Sequence, residues 1–193
     1  FRVNSVIGYY QKKTIINIGC ARHIIGYSSM ETRDLTQLQS EFDGKIEEVK
    51  KFSFQMKEKK KMIKENFLSW TGGIVGMFAR MRDDKKMNQF LETPILDGMT
   101  YQQLAEHLGE MSTSLSNIQK QIQDMVSKDH PRYYGNVYEI NKVMVESVKS
   151  WQDIAPTVAN ETFKTANGKT TLLEYAYVTV AHPLNILDLP DNK

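Results

Sequence analysis

The stretch Tyr101–Met125, YQQLAEHLGEMSTSLSNIQKQIQDM, decides the fold. Its apolar side chains fall at Tyr101, Leu104, Leu108, Met111, Leu115, Ile118, Ile122 and Met125, in alternating steps of three and four. That spacing holds one apolar stripe on a single side of a helix over several turns. Thr100 precedes the stripe and Gln103 lies three residues on, the pattern of a capping box. The flanking positions Ser112, Ser114, Gln119 and Gln121 are small or uncharged. A two-stranded zipper places Glu and Lys there, so a broader bundle contact is expected.

A second apolar series repeats every seven residues at Leu35, Phe42, Val49, Met56 and Ile63, within a long helix expected over Met30–Asn66. At 1.5 Å per residue that helix would be about 55 Å long. Its alternate seam positions are mixed: Leu38 and Phe52 are apolar, whereas Lys45, Lys59 and Asn66 are not. Such a half-apolar seam suits a helix laid along a larger assembly. Charge along it is polarised, with six acidic residues between Glu31 and Glu48 and seven lysines between Val49 and Lys64. Acid early and base late complements the helix dipole. It would also favour antiparallel alignment with a like helix.

Beyond these two ladders, a helix is expected from Ser69 to about Leu91, with Gly72, Gly73 and Gly76 as a close-packing face. Thr93-Pro94 and Asp97-Gly98 mark a loop. Lys128-Asp129-His130-Pro131 breaks the Tyr101 helix, because proline disfavours helix at the residue before it. The next helix would start at Asn136 with Glu139 and present Val137, Ile140, Met144, Val148 and Trp151 on one face, closing at Ala155-Pro156. Asn167-Gly168 signals a turn. Thr171 with Glu174 would cap a short helix through Ala181, a strand over Tyr175–Val180 being the alternative. His182-Pro183 onward reads as an extended tail carrying Leu184, Ile186, Leu187 and Leu189, to be laid on a partner or equally folded back on its own bundle. The expected organisation is a basic arm over 1–30, a scaffold of about four helices over 31–155, and a mixed segment and tail over 156–193. The fold class is mainly α: a long coiled-coil-like helix plus a helical bundle or hairpin, with an extended N-terminal arm and C-terminal tail.

Chemistry-bearing patterns are sparse. Gly168-Lys169-Thr170-Thr171 resembles the end of a phosphate loop, but position 163 is Phe where that motif requires Gly. His107 and Glu110 share a helix face without the further ligands that a carboxylate-bridged metal site needs. Cys20 is the single cysteine, which excludes an intramolecular disulfide. No catalytic, cofactor-binding or metal-binding residues are assigned, and the chain is expected not to be an enzyme. The candidate contact residues are the two seams (Leu35, Phe42, Val49, Met56, Ile63; Leu104, Leu108, Met111, Leu115, Ile118, Ile122, Met125) and the loop residues Arg132, Tyr133 and Tyr134. Arg and Tyr are types enriched at interface hot spots.

Net charge is +2, which does not argue for nucleic acid. The run Lys57-Glu58-Lys59-Lys60-Lys61 would suit anionic lipid headgroups. The longest charge-free apolar window, Asn66–Ala79, is too short to cross a bilayer as a helix, which takes about 20 residues. Residues 1–30 carry Arg2, Lys12, Lys13 and Arg22 with no Asp or Glu, a composition that resembles a mitochondrial targeting segment. The expected role is therefore an accessory subunit of a mitochondrial inner-membrane complex (respiratory chain or ATP synthase), contacting other subunits through its helical seams and terminal arms. The alternative is an independent helical-bundle module, cytoplasmic or exported as part of a bacterial secretion or surface apparatus.

Overall fold

The computed structural model describes residues 34–71, 92–154, 162–165 and 168–190. The basic arm over 1–30 and the glycine-containing helix expected up to Leu91 lie outside them, apart from residues 69–71. The chain is mainly helical: α1 (Leu35–Thr71), α2 (Tyr101–Met125), α3 (Pro131–Ile154), a two-stranded hairpin of β1 (Thr162–Thr165) and β2 (Gly168–Thr171), then α4 (Leu172–Ala181) and a 3-10 turn, His182–Ile186.

Side-chain pairs fix the helix directions. Gln39 meets Asn136 and Ser53 meets Ser150, the same offset at both points, so α1 and α3 run parallel. Tyr101 reaches Ile154 and Gln119 reaches Tyr133, so α2 runs against α3. Tyr175 meets Glu106 and Ser112 meets Val180, so α4 runs with α2. The result is an up-down-up-down bundle in which α2 packs on α1, α3 and α4 at once.

Local sequence sets the helix ends. Asp34 begins α1, accepting from the Gln37 backbone N–H at 2.8 Å while its own N–H donates to Gln37 Oε1 at 3.3 Å. The helix therefore starts at Leu35, five residues later than expected from Met30, and it continues past Asn66 to Thr71. Thr100 and Gln103 form the expected capping box on α2. Asp97 (φ 49°) and Gly98 (φ 80°) make the tight turn before it, with Leu96 and Met99 paired across the turn. Two successive positive φ values are the type I′ geometry, which Asp-Gly adopts at low steric cost.

Pro131 does not hold off the next helix until Asn136; it is the first residue of α3. Proline suits that position, where no intrahelical N–H donor is needed. His130 supports the start by accepting from the Arg132 N–H at Nδ1, 3.2 Å. Thr165 pairs with Gly168 at the hairpin end, consistent with the turn signal at Asn167-Gly168. Thr171 and Glu174 complete a capping box on α4, so Tyr175–Val180 is helix and not strand.

Both apolar ladders close inside the chain. Phe42, Val49 and Met56 are fully buried, as are Leu104, Leu108, Leu115 and Ile122, and Met111 and Ile118 nearly so. The α1 seam is not the pure seven-residue series. It runs Leu38, Phe42, Ile46, Val49, Ser53 and Met56, in steps of four and three. Lys45 lies beside this line, paired with Glu48 at 2.5 Å, which removes the apparent polar gap. Leu35 is half-buried at the bundle edge, Met125 is exposed, and the Ile63 side chain lies outside the described set. Over residues 182–190 the C-terminal segment folds back on the bundle through a 3-10 turn, with Leu184 and Leu187 buried in the core and Leu189 packed against it.

Helices α2 and α4 approach closely at Gly109. A Cβ there would sit 2.4 Å from Thr179 Cγ2 and 3.3 Å from the Thr179 carbonyl oxygen. Alanine normally gains about 1 kcal/mol over glycine inside a helix. Gly109→Ala is expected to reverse that sign and lower the thermal midpoint. In a Thr179→Ser background, which removes Cγ2, the same substitution should become neutral or stabilising. Thermal denaturation followed by circular dichroism on the four variants checks this.

Candidate functional site

The described polar chemistry gathers at the two ends of the bundle. At the upper end Tyr101 and Trp151 lock α2 to α3. The Tyr101 hydroxyl donates to the Ile154 carbonyl and the Trp151 indole N–H to the Tyr101 carbonyl, both at 2.9 Å. Their rings meet edge to face, 6.3 Å between centroids. Burial pushes the Tyr101 phenol well above its ordinary range, so it is a donor and not an acid here.

The lower end holds a ladder of side-chain amides crossing the whole bundle. Asn136 on α3 donates one amide hydrogen to Gln39 Oε1 on α1 (2.9 Å) and the other to Gln119 Oε1 on α2 (2.8 Å). Gln39 passes its own donor to Asp43. Gln119 donates to the carbonyls of Arg132 and Tyr133, at 3.0 and 2.9 Å. One turn on, the Gln123 amide donates to the carbonyls of Tyr133 (3.1 Å) and Asp188 (2.9 Å) and accepts the Asp188 N–H at 3.0 Å. Gln123 thus grips both backbone groups of one C-terminal residue. These amides are nearly all buried, where an unpaired one would cost about 1–3 kcal/mol.

Asp188 is the outer rung. Its Oδ2 accepts from Tyr133 at 2.9 Å and Tyr134 at 3.4 Å, and Lys128 Nζ lies 2.5 Å away. The tyrosine rings pack edge to face, 4.9 Å apart. The Lys128 ammonium, then the Tyr133 hydroxyl, hold the Asp188 carboxyl below the usual carboxylate range. Tyr133 and Tyr134, whose residue types suit docking and packing over helix ends equally, form this latch; Arg132 remains exposed. The seam residues whose side chains are described are likewise core, apart from Met125 and the half-buried Leu35.

The other sequence candidates stay apart. His107 lies beside Glu110, Nδ1 to Oε2 3.4 Å, and its ring meets Phe52 edge to face. Lys59 and Lys60 tie α1 to the upper end through Asp97 (3.0 Å) and Asp153 (3.2 Å). Gly168–Thr171 is a strand leading into the α4 cap, not a phosphate loop. Among the described residues, no group of three or more His, Cys, Asp or Glu is placed to hold a metal ion, and no helix is long and apolar enough to cross a membrane. Sequence reading missed Gln39, Gln123, Asn136 and Asp188. Polar residues on the core side of otherwise apolar helix faces were the available signal for the first three.

The chain has no match among protein-family models, curated proteins or solved structures.

Gln119→Ala removes two donors and one acceptor from a fully buried site, and should lower unfolding free energy by about 3 kcal/mol. Ser116 Oγ is buried with no hydrogen-bond partner, so Ser116→Ala should be neutral or stabilising by about 1 kcal/mol. Urea titration separates the two. The depressed Asp188 carboxyl carries a second consequence. Its stabilisation is present above the unfolded carboxylate value and is lost as pH falls through the lower folded value. Asp188→Asn should therefore lower the urea midpoint at neutral pH and flatten its decline below about pH 4. An unchanged acid limb in the variant would remove Asp188 from the latch.

Proposed function

We propose that this chain is a non-enzymatic helical scaffold that works by protein contact within a larger assembly. One observation carries this reading. Apart from Ser116, the buried polar side chains of the described bundle bond to one another or to backbone, holding helices in register, and this leaves the outer helix surfaces for binding. The proposed setting is a mitochondrial inner-membrane complex, respiratory chain or ATP synthase, and it draws on the basic, acid-free composition of residues 1–30. A second reading, an independent helical-bundle binding module, draws on the closure of both seams within one chain. A bundle that fills its own core has less need of a permanent neighbour.

Native-gel migration after mild detergent extraction, with mass spectrometry of the band, tests the two. Co-migration with respiratory or ATP-synthase subunits in a very large species is the expected result for the accessory subunit. Migration as a small species would remove that setting and leave the independent module.

A further inference from the structure

The outward face of α1 bears an uneven load. Phe54 lies near the middle of the helix and is 60% exposed, the most exposed large apolar side chain among the described residues. One and two helical turns before it, on the same stripe, stand Lys50 and Glu47; one and two turns after it stand Glu58 and Lys61. All four are solvent-exposed. Rotating the helix half a turn about an axis through Phe54 exchanges position 47 with 61 and position 50 with 58. Each acid then meets a base of the rotated copy. The Phe54 side chain meets itself.

We propose that a second copy of this chain docks here, α1 against α1 antiparallel, with Phe54 on the two-fold axis. Glu47 faces the copy's Lys61 and Lys50 faces the copy's Glu58, each pair occurring twice. Closed two-fold pairing is the commonest form of self-association, and it requires a self-complementary patch of this kind. The present partners of these groups do not oppose it. Glu47 pairs with Lys50 at 2.8 Å, Lys50 with Glu139 of α3 at 3.7 Å, and Lys61 with Glu65 at 4.0 Å, all on the exposed surface, where ion pairs contribute little and rearrange readily. A parallel pairing in the same register would set Glu47 on Glu47 and Lys61 on Lys61, and repel. The same two-fold axis sets Lys51 opposite the copy's Lys57 on the flank of the contact and Asp43 opposite the copy's Glu65 at its outer edge, two like-charged pairs that the contact must tolerate.

This names one partner within the scaffold reading and rests on the α1 surface alone. A monomer would overturn the pairing while leaving the scaffold reading to its own native-gel test. Sedimentation velocity of the full chain across the micromolar range is the experiment, with helix content checked for each variant. The wild type is expected to dimerise, and more weakly at high salt. Glu47→Lys and Lys61→Glu should each weaken the dimer on the order of tenfold, and the double variant should restore it. Phe54→Ala should also weaken it. Glu65→Lys should tighten it, because it turns the edge repulsion into attraction. A wild-type monomer throughout, or a dimer indifferent to the charge reversals and to Glu65→Lys, would overturn the proposal.

Discussion

Helix α2 is held on three sides, and the rest of the fold follows from that constraint. A helix at the edge of a bundle needs one apolar stripe, but one lying against α1, α3 and α4 together must be tolerable to bury almost all round. An all-apolar surface would allow neighbours to slide between registers of similar energy. Here the extra faces are built from small residues and amides: Gly109 and Ser112 against α4, Ser116 in the interior, and Gln119 and Gln123 toward α3 and the C-terminal segment. Each small residue permits a close approach, and each amide accepts a single alignment of its partners.

The two ends of the bundle are pinned by different chemistry. At the upper end an aromatic pair exchanges hydrogen bonds with backbone carbonyls, so large apolar surface and directionality come from the same two residues. At the lower end the amide ladder reaches from α1 through α3 and α2 to Asp188. Neutral amides avoid the desolvation cost of buried charge, and the one carboxylate in the latch sits at the rim beside Lys128. Between the ends, the core is mainly aliphatic, with Ser53 and Ser150 as the contact that aligns α1 with α3. The C-terminal segment is consequently part of the bundle's lower end.

Much of this was legible in the sequence where the signal was local. The α2 stripe, its capping box, the Asp97-Gly98 turn and the Thr171–Glu174 cap depend on residues a few positions apart, and each is found where expected. The α1 seam was read one step too rigidly. A seven-residue count with its alternate positions passes over Ile46 and Ser53, because packing on two neighbours follows steps of four and three. Pro131 was read as a stop although it also suits a helix start, and choosing between these needs the loop before it. The seams themselves say that apolar surface must be covered without saying by what. The covering helices are supplied by the same chain, a long-range fact. Tyr133 and Tyr134 were singled out by type, but their common partner Asp188 lies more than fifty residues away.

Hydrogen exchange of the purified chain, read by mass spectrometry at several dilutions, addresses the self-contained bundle most directly. Amides buried in a closed core open only through global unfolding. The α2 amides from Leu104 to Gln123 should be the slowest in the chain, with α1 protected through Met56, and both should stay protected at dilutions where the chain is a monomer. Rapid exchange in α2, or protection along the α2 seam that fades on dilution, would mean that another molecule covers it, contradicting a core closed within one chain.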